Sequence, residues 1–145
     1  TGFGRRTVLR GSPLGLRPFD RYDEWAQRRA RIAALYRQEL SQESGIGVPF
    51  VPNWAEPAWH LFVVRAADRE ATQKRLTEAG VGTLIHYPLP PHRQQAYAEA
   101  GIAPGSQPLA KALAGEVLSL PIGPHLAMED AQHVIDVLRG TAQTS

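Results

Sequence analysis

The 145-residue sequence contains no cysteine. Disulfide frameworks, cysteine-ligated metal centres and cysteine nucleophiles are therefore excluded. The sequence also has no run of 18 or more apolar residues, so it predicts no membrane-spanning helix and no membrane partner. Its first residues lack the apolar segment of a secretory signal peptide. By elimination we expect a cytoplasmic location. The chain opens on Thr1 and has no initiator methionine, so a fragment of a longer protein is one interpretation, beside a split subunit and a stand-alone protein.

A strong excess of charge of either sign is also lacking, since the formal net charge is +2. Residues 1–31 nevertheless contain eight arginines: Arg5, Arg6, Arg10, Arg17, Arg21, Arg28, Arg29 and Arg31. Clustered arginines suit phosphate groups, so a nucleic-acid-binding arm is one interpretation. The acidic residues interleaved with them, Asp20, Asp23, Glu24 and Glu39, favour local ion pairs on a solvated helix. We therefore expect no nucleic-acid partner and keep nucleic-acid binding as the alternative.

The apolar fraction of 43% and the charged fraction of 21% are typical of a single globular domain. Residues 1–19 are rich in glycine and proline without a clear period, which predicts an irregular segment. We expect the domain to occupy residues 20–140 and a short tail to follow at 141–145. Neither an internal repeat nor a low-complexity segment is visible.

Hydrophobic periodicity and capping residues predict the secondary structure. Runs rich in β-branched and aromatic residues indicate strands. The predicted helices span residues 20–40, 68–79, 94–100, 108–115 and 128–138, and the predicted strands span 60–65, 83–86 and 117–121. Three short strands covered by helices make a small α/β domain.

The most informative segment is residues 82–97, which contains two histidines, two tyrosines and three prolines. Proline lacks a backbone donor and has a fixed φ, so this segment is neither a central strand nor a helix interior. We expect a stiff, extended loop that leaves the end of a strand and presents His86 and Tyr87. Such a loop suits a ligand site.

The residues around this loop argue against a metal site and against a catalytic serine. No acidic residue lies near His86 and His92 to complete a metal site, and Ser119 lacks the glycine-flanked turn of a catalytic serine. We expect the Ser119 hydroxyl to bond to backbone. Two roles stay open for His86: contacting a hydroxyl, phosphate or carboxylate group, or tying the loop down by hydrogen bonds to backbone. For His92, capping of the following helix is favoured, and for Tyr97, packing in the core.

Three parts of the sequence together resemble one known family. They are His86-Tyr87-Pro88-Leu89-Pro90-Pro91-His92, then Gln95-Ala96-Tyr97, and later Val117-Leu118-Ser119-Leu120-Pro121. In this order they resemble the C-terminal domain of the DegT/StrS-type sugar aminotransferases. The segments Glu24-Trp25 to Tyr36, Trp59 to Arg65 and Gly80 to Thr83 are similar to that domain's opening helix, first strand and following turn. The resemblance covers residues 20–139.

The resemblance implies a fold and a function. The fold would be an α/β domain whose small three-stranded, mainly antiparallel sheet is covered by helices, with a long N-terminal helix. Members of the family are fold-type-I enzymes that use pyridoxal phosphate to aminate keto-sugars carried on nucleotides. By resemblance, His86, Tyr87, His92 and Gln95 would bind the nucleotide-sugar substrate. A large pyridoxal-phosphate-binding domain or subunit would be a partner, and a homo-oligomer would complete the site.

The same resemblance assigns the catalytic and cofactor-binding residues to the large domain. Lys74 and Lys111 are the only lysines, and neither matches the family's lysine context. We therefore expect no catalytic residue in this chain, and pyridoxal phosphate in the intact family enzyme but none bound by the chain alone. Aromatic side chains would form an exposed apolar surface for the large domain: Phe19, Tyr22, Trp25, Trp54 and Trp59.

The sequence departs from the family at residues 11–16, where family members usually carry an asparagine and an arginine before the long helix. Here that segment reads Gly-Ser-Pro-Leu-Gly-Leu, and Pro13 and Pro18 would interrupt a helix. This departure favours an alternative in which the chain is a non-catalytic, degenerate aminotransferase-like binding or interaction module.

Overall fold

A computed structural model describes residues 21–40, 45–103 and 105–141. The expected irregular segment 1–19, and the tail beyond residue 141, lie outside the described residues. Four α-helices and three strands follow in the order α1 (Tyr22–Leu40), β1 (Ile46–Gly47), β2 (Phe62–Ala66), α2 (Arg69–Glu78), α3 (Pro108–Glu116), β3 (Val117–Leu120) and α4 (Met128–Arg139). Two 3-10 helices, Pro91–Arg93 and Gln95–Ala100, lie between α2 and α3.

The sheet is antiparallel throughout, in the order β1-β2-β3. Phe62 pairs with Leu120 and Val64 with Leu118, while Ile46 of β1 pairs with Ala66. With the long helix α1 at its start and helices packed on the sheet, the fold class expected from the resemblance is confirmed. Among the described residues, no helix has the length and apolar character needed to cross a membrane.

The core lies between one face of the sheet and the helices. Because side chains alternate across a strand, Phe62, Val64 and Ala66 are buried against the helices. Helix α4 packs on α1 and α2, and its face carries the buried residues Ala131, Val134, Ile135, Val137 and Leu138. The opposite face of the sheet carries Val63 and Ser119, which pair with each other.

Tyr36 joins helix α1 to the sheet. Its ring lies 5.1 Å from that of Phe62, and its phenol donates a 2.9 Å hydrogen bond to the carbonyl oxygen of Pro121. Burial, with a smaller contribution from the Asp130 carboxylate, raises the pKa of this phenol above its ordinary value of 10.0. The buried phenol therefore has its hydrogen-bond acceptor and stays neutral.

The predicted helix boundaries hold because the local chemistry defines them. The Asp68 carboxylate accepts a 2.9 Å hydrogen bond from the backbone N–H of Ala71 and caps α2. Gly80, with a φ of +76°, ends that helix region in a conformation that other residues rarely adopt. Residues 94–100, predicted as a short helix, form the 3-10 helix Gln95–Ala100 and are followed by the left-handed Gly101.

One of the three predicted strands is wrong. Residues 83–86 do not form a strand: only Leu84 pairs, in a single bridge to Ser119. The pairing ends there because Tyr87 takes a positive φ and Pro88 follows it, so the backbone leaves the sheet. The third strand is instead the two-residue β1, which is too short to leave a pattern in the sequence.

Candidate functional site

The site is built where the proline-rich loop leaves the sheet. Leu84 exchanges backbone hydrogen bonds with Ser119 of β3, at 2.8 and 3.3 Å. Two residues later, the Nδ1 atom of His86 lies 2.8 Å from the hydroxyl oxygen of Ser119. His86 is half-buried and Ser119 is 5% exposed. Ser119 therefore holds the start of the loop through both its backbone and its side chain.

This contact can be compared with the hydrogen-bond partners predicted for Ser119 and His86. The Ser119 hydroxyl was expected to bond to backbone, and that is wrong: its partner is the His86 ring. His86 does tie the loop to the sheet, but through a side-chain hydroxyl and not through backbone. Its second nitrogen, Nε2, has no hydrogen-bond partner within the described part of the chain, so it remains available to a ligand.

Tyr87 is displayed next to His86 in a strained conformation. Its φ of +58° is the one positive value at a non-glycine position in the described ranges, and 73% of the residue is exposed. A left-handed conformation costs a residue with a Cβ atom about 1–2 kcal/mol, and such outliers cluster at functional sites. The phenol projects to solvent from a backbone that its neighbours fix on both sides, His86 and Pro88.

His92 lies farther along the loop, beside a small hollow of about 130 Å³. The hollow is lined by Leu89, Pro90, His92, Arg93, Gly105, Gln107 and Lys111. The expectation that His92 caps a helix is not met, because neither 3-10 helix has a side-chain hydrogen bond at its cap. His92 and two further basic residues instead border one apolar hollow.

The last of the predicted site residues, Gln95, opens the second 3-10 helix and is exposed. Its side chain makes no hydrogen bond within residues 21–40, 45–103 and 105–141. The expectation that Tyr97 packs in the core is wrong, since it is 52% exposed. A 3-10 helix of six residues that buries none of them explains this exposure. The structure thus brings His86 and Ser119 into contact, with Tyr87 adjacent, and leaves Gln95 separate from that contact.

Neither lysine lies where it could hold a carbonyl cofactor. Lys74 is on the exposed face of α2, 3.8 Å from Glu78, with its side chain 76% exposed. Lys111 is exposed on α3 beside the hollow described above, where no carboxylate lines the wall. The described residues therefore do not fit pyridoxal phosphate, which needs a lysine together with an acidic partner for its ring nitrogen. Among those residues there is also no group of three or more potential metal ligands.

A second hollow, of about 270 Å³, lies between α1 and the segment before β2. It is lined by Tyr22, Trp25, Ala26, Arg29, Ala58, Trp59 and His60. Tyr22 and Trp25 are exposed, Trp59 is half-buried, and the ring of Trp59 packs 5.3 Å from that of Phe62. Trp54 is 88% exposed. The expected exposure of Tyr22, Trp25 and Trp54 is confirmed, and Phe19 lies outside the described residues.

Comparison with known proteins gives one consistent family. A family model described as the DegT/DnrJ/EryC1/StrS aminotransferase family matches residues 11–139. The "Erythromycin biosynthesis sensory transduction protein EryC1" of Saccharopolyspora erythraea is 54% identical over 83% of this chain and 33% of its own length. The "dTDP-3-amino-3,4,6-trideoxy-alpha-D-glucose transaminase" of Streptomyces venezuelae is 44% identical over 83% of this chain and 32% of its own length.

The solved structures agree with the sequence relatives. The crystal structure of DesV from S. venezuelae superposes with a TM-score of 0.80 and 41% identity, over 88% of this chain and 34% of that one. The chain aligns with the C-terminal part of the aminotransferase structures. It therefore spans about a third of the length of the proteins it matches.

Proposed function

Because the chain belongs to the DegT/DnrJ/EryC1/StrS aminotransferase family, we propose that it is the C-terminal domain of a pyridoxal-phosphate-dependent aminotransferase acting on nucleotide-linked keto-sugars. The name of the S. venezuelae relative, a transaminase of a dTDP-linked amino sugar, supports this substrate class. In this role the chain shapes the substrate cleft and does not carry the catalytic lysine. A biosynthetic enzyme of this kind would act in the cytoplasm.

The observation that carries the proposal is the display of His86 and Tyr87 at the end of the sheet. The His86 ring is held at Nδ1 by Ser119, which leaves Nε2 without a hydrogen-bond partner among the described residues. Tyr87 takes a positive φ and remains 73% exposed, so most of its phenol ring is open to a ligand. A hydrogen-bonding imidazole beside an exposed aromatic ring suits a sugar nucleotide, which offers hydroxyl and phosphoryl oxygens and apolar ring faces.

His92 and Gln95 complete the proposed substrate wall. His92 borders the small hollow together with Arg93 and Lys111, and no carboxylate lines it. The positive charges of Arg93 and Lys111 favour an anionic group such as a diphosphate. Gln95 is exposed at the start of the next 3-10 helix, where its amide can donate and accept. These residues orient the substrate, and the proton transfers belong to the residues that hold the cofactor.

A large cofactor-binding domain or subunit is the proposed partner. The chain spans about a third of its relatives, so two-thirds of such an enzyme would lie outside it. The aromatic hollow at Tyr22, Trp25 and Trp59 lies at the N-terminal end of α1. Exposed apolar patches of this kind mark contact surfaces, and we assign this one to the preceding domain. A homo-oligomer would complete the active site.

The test is to rebuild an enzyme around this chain. Residues 20–139 replace the corresponding third of the S. venezuelae transaminase, to which the chain is 44% identical, and transamination of its nucleotide sugar is measured with pyridoxal phosphate. We expect the chimera to turn over and the isolated chain to show no turnover. Turnover by the isolated chain would show that one of its own two lysines serves as the catalytic residue.

A non-catalytic role is the second candidate, because the name of the S. erythraea relative assigns that protein to sensory transduction. The two candidate functions predict different results for the same chimera. A folded chimera that binds the nucleotide sugar but does not turn it over would favour the degenerate binding module. A chimera that turns it over rules that alternative out for the substrate-facing surface.

A further inference from the structure

We propose that Ser119 is a positioning residue that sets the tautomer of His86, so that neutral His86 carries its proton on Nε2 and donates a hydrogen bond to an acceptor oxygen of the substrate. This inference rests on the proposed function only for the identity of the ligand. The tautomer itself follows from the contact between the two side chains and can be measured without any ligand.

The Ser119 hydroxyl lies on a buried residue of β3. Ser119 is 5% exposed, so water is largely excluded from it. Within the described residues, the Nδ1 atom of His86, at 2.8 Å, is the hydrogen-bond partner found for the Ser119 hydroxyl. A buried donor that is left without an acceptor is costly. The hydroxyl hydrogen must therefore point at Nδ1.

In the alternative tautomer, the Ser119 hydroxyl hydrogen has no acceptor. If Nδ1 carried the ring proton, it would donate to the Ser119 oxygen, and the hydroxyl hydrogen would then need a second acceptor. None is found for it in the described part of the chain. With Nδ1 accepting, the hydroxyl is satisfied, and the neutral ring must carry its hydrogen on Nε2. The partner of one ring nitrogen thus fixes the state of the other.

The ligand chemistry follows from this tautomer. Neutral His86 presents an N–H donor at Nε2, which matches a keto, hydroxyl or phosphoryl oxygen. When the ring is protonated, Nδ1 donates to the Ser119 oxygen and Nε2 still carries hydrogen. The serine hydroxyl can serve as donor or acceptor, so the hydrogen bond between Ser119 and His86 is kept whether the ring is neutral or protonated. His86 is therefore a hydrogen-bond donor to the substrate whether or not the ring is charged.

Nitrogen NMR of the 145-residue chain tests this directly. At alkaline pH, where imidazole groups are neutral, we expect the His86 ring to show one tautomer with hydrogen on Nε2 and an Nδ1 resonance shifted by an accepted hydrogen bond. In Ser119→Ala that shift should disappear and the minor tautomer should become visible. Ser119→Thr keeps the hydroxyl and should restore the wild-type resonances.

A matched control removes another buried hydroxyl away from the site. Thr72 is 6% exposed, and its hydroxyl donates a 2.7 Å hydrogen bond to the Asp68 carbonyl oxygen. Thr72→Val should leave the His86 resonances unchanged. Hydrogen on Nδ1 in the wild-type chain would overturn the proposal, even if no Ser119 variant folds. Identical His86 resonances in wild type and Ser119→Ala would overturn it equally.

The chimera separates this inference from the proposed function. There we expect Ser119→Ala to raise KM for the nucleotide sugar by roughly fivefold, the effect of one lost hydrogen bond, and Ser119→Thr to remain within about twofold of wild type. An inactive chimera with the predicted tautomer would reject the function and leave the positioning role intact. An active chimera whose KM is unchanged by Ser119→Ala would reject the positioning role and leave the function intact.

Discussion

The phenolic oxygen of Tyr36 lies 2.9 Å from the carbonyl oxygen of Pro121, and this contact joins residues 85 positions apart. It connects the C-terminal part of α1 to the residue that follows β3. Because β3 also carries Ser119, the contact helps to fix the strand on which the candidate site is built. Fold and site are therefore coupled through one short strand, which is buried on its helix-facing side.

Tyr36→Phe should lower the free energy of unfolding by about 1 kcal/mol, because it leaves the half-buried Pro121 carbonyl without its donor and preserves the ring packing. Denaturant titration of the folded chain measures the change. The matched control is Tyr97→Phe, since Tyr97 is 52% exposed, and it should stay within about 0.5 kcal/mol of wild type. Equal effects of the two substitutions would contradict the role given to the Tyr36 hydrogen bond.

The same tyrosine predicts a loss of stability at alkaline pH. Burial raises the pKa of the folded-state phenol above the ordinary value of 10.0, so the unfolded chain releases this proton first as the pH rises. Above about pH 10 the unfolded state then binds fewer protons, and the free energy of unfolding falls with pH. The decline should be shallower in Tyr36→Phe. An equal slope in the two proteins would show that Tyr36 does not contribute to it.

Tyr87 allows a test of stored backbone strain. Tyr87→Ala and Tyr87→Gly both remove the ring, and they differ in the cost of the positive φ. We expect the glycine variant to be the more stable by about 1 kcal/mol. On helix α3 the order should reverse, so that the Ala112→Gly substitution at an exposed position costs about 1 kcal/mol. A Tyr87→Gly variant less stable than Tyr87→Ala would argue against strain at this position.

Ion pairs of different burial should differ in their contribution to stability. Arg139 bridges to Glu39 at 2.8 Å and joins the ends of α4 and α1, with side chains 30% and 26% exposed. The Lys74–Glu78 pair is longer, at 3.8 Å, and more exposed. Glu39→Gln should cost about 1 kcal/mol and Glu78→Gln less than about 0.5 kcal/mol, as measured by thermal unfolding. A larger effect at Glu78 would contradict this ranking.

The sequence predicted the helices well because their signals are local. Asp68 and Gly80 define α2 within a few residues of the chain, and the apolar stripe of α4 is continuous. The sheet was harder to predict, because β1 has only two residues. The apolar run at residues 83–86 forms a single bridge, at Leu84, and the backbone leaves the sheet at Tyr87.

The site was predicted in part. The prolines after Tyr87 correctly indicated an irregular loop that presents His86, because proline geometry acts locally. The contact between His86 and Ser119 spans 33 residues, and nothing in a serine within an apolar strand indicates which residue will lie over it. The pairing register of β3 with Leu84 creates that contact, and register depends on the assembled sheet. The substrate roles of His92 and Gln95 stay predictions.

The central claim is that His86 contacts the substrate in an active site whose cofactor lies outside this chain. Steady-state kinetics of the chimera, comparing His86→Ala with His125→Ala, tests it most directly, since His125 is an exposed histidine outside the site. We predict that His86→Ala lowers kcat/KM by at least about tenfold, which corresponds to 1.4 kcal/mol of lost interaction, while His125→Ala stays within about twofold of wild type. Equal kcat/KM values for the two variants would contradict the account.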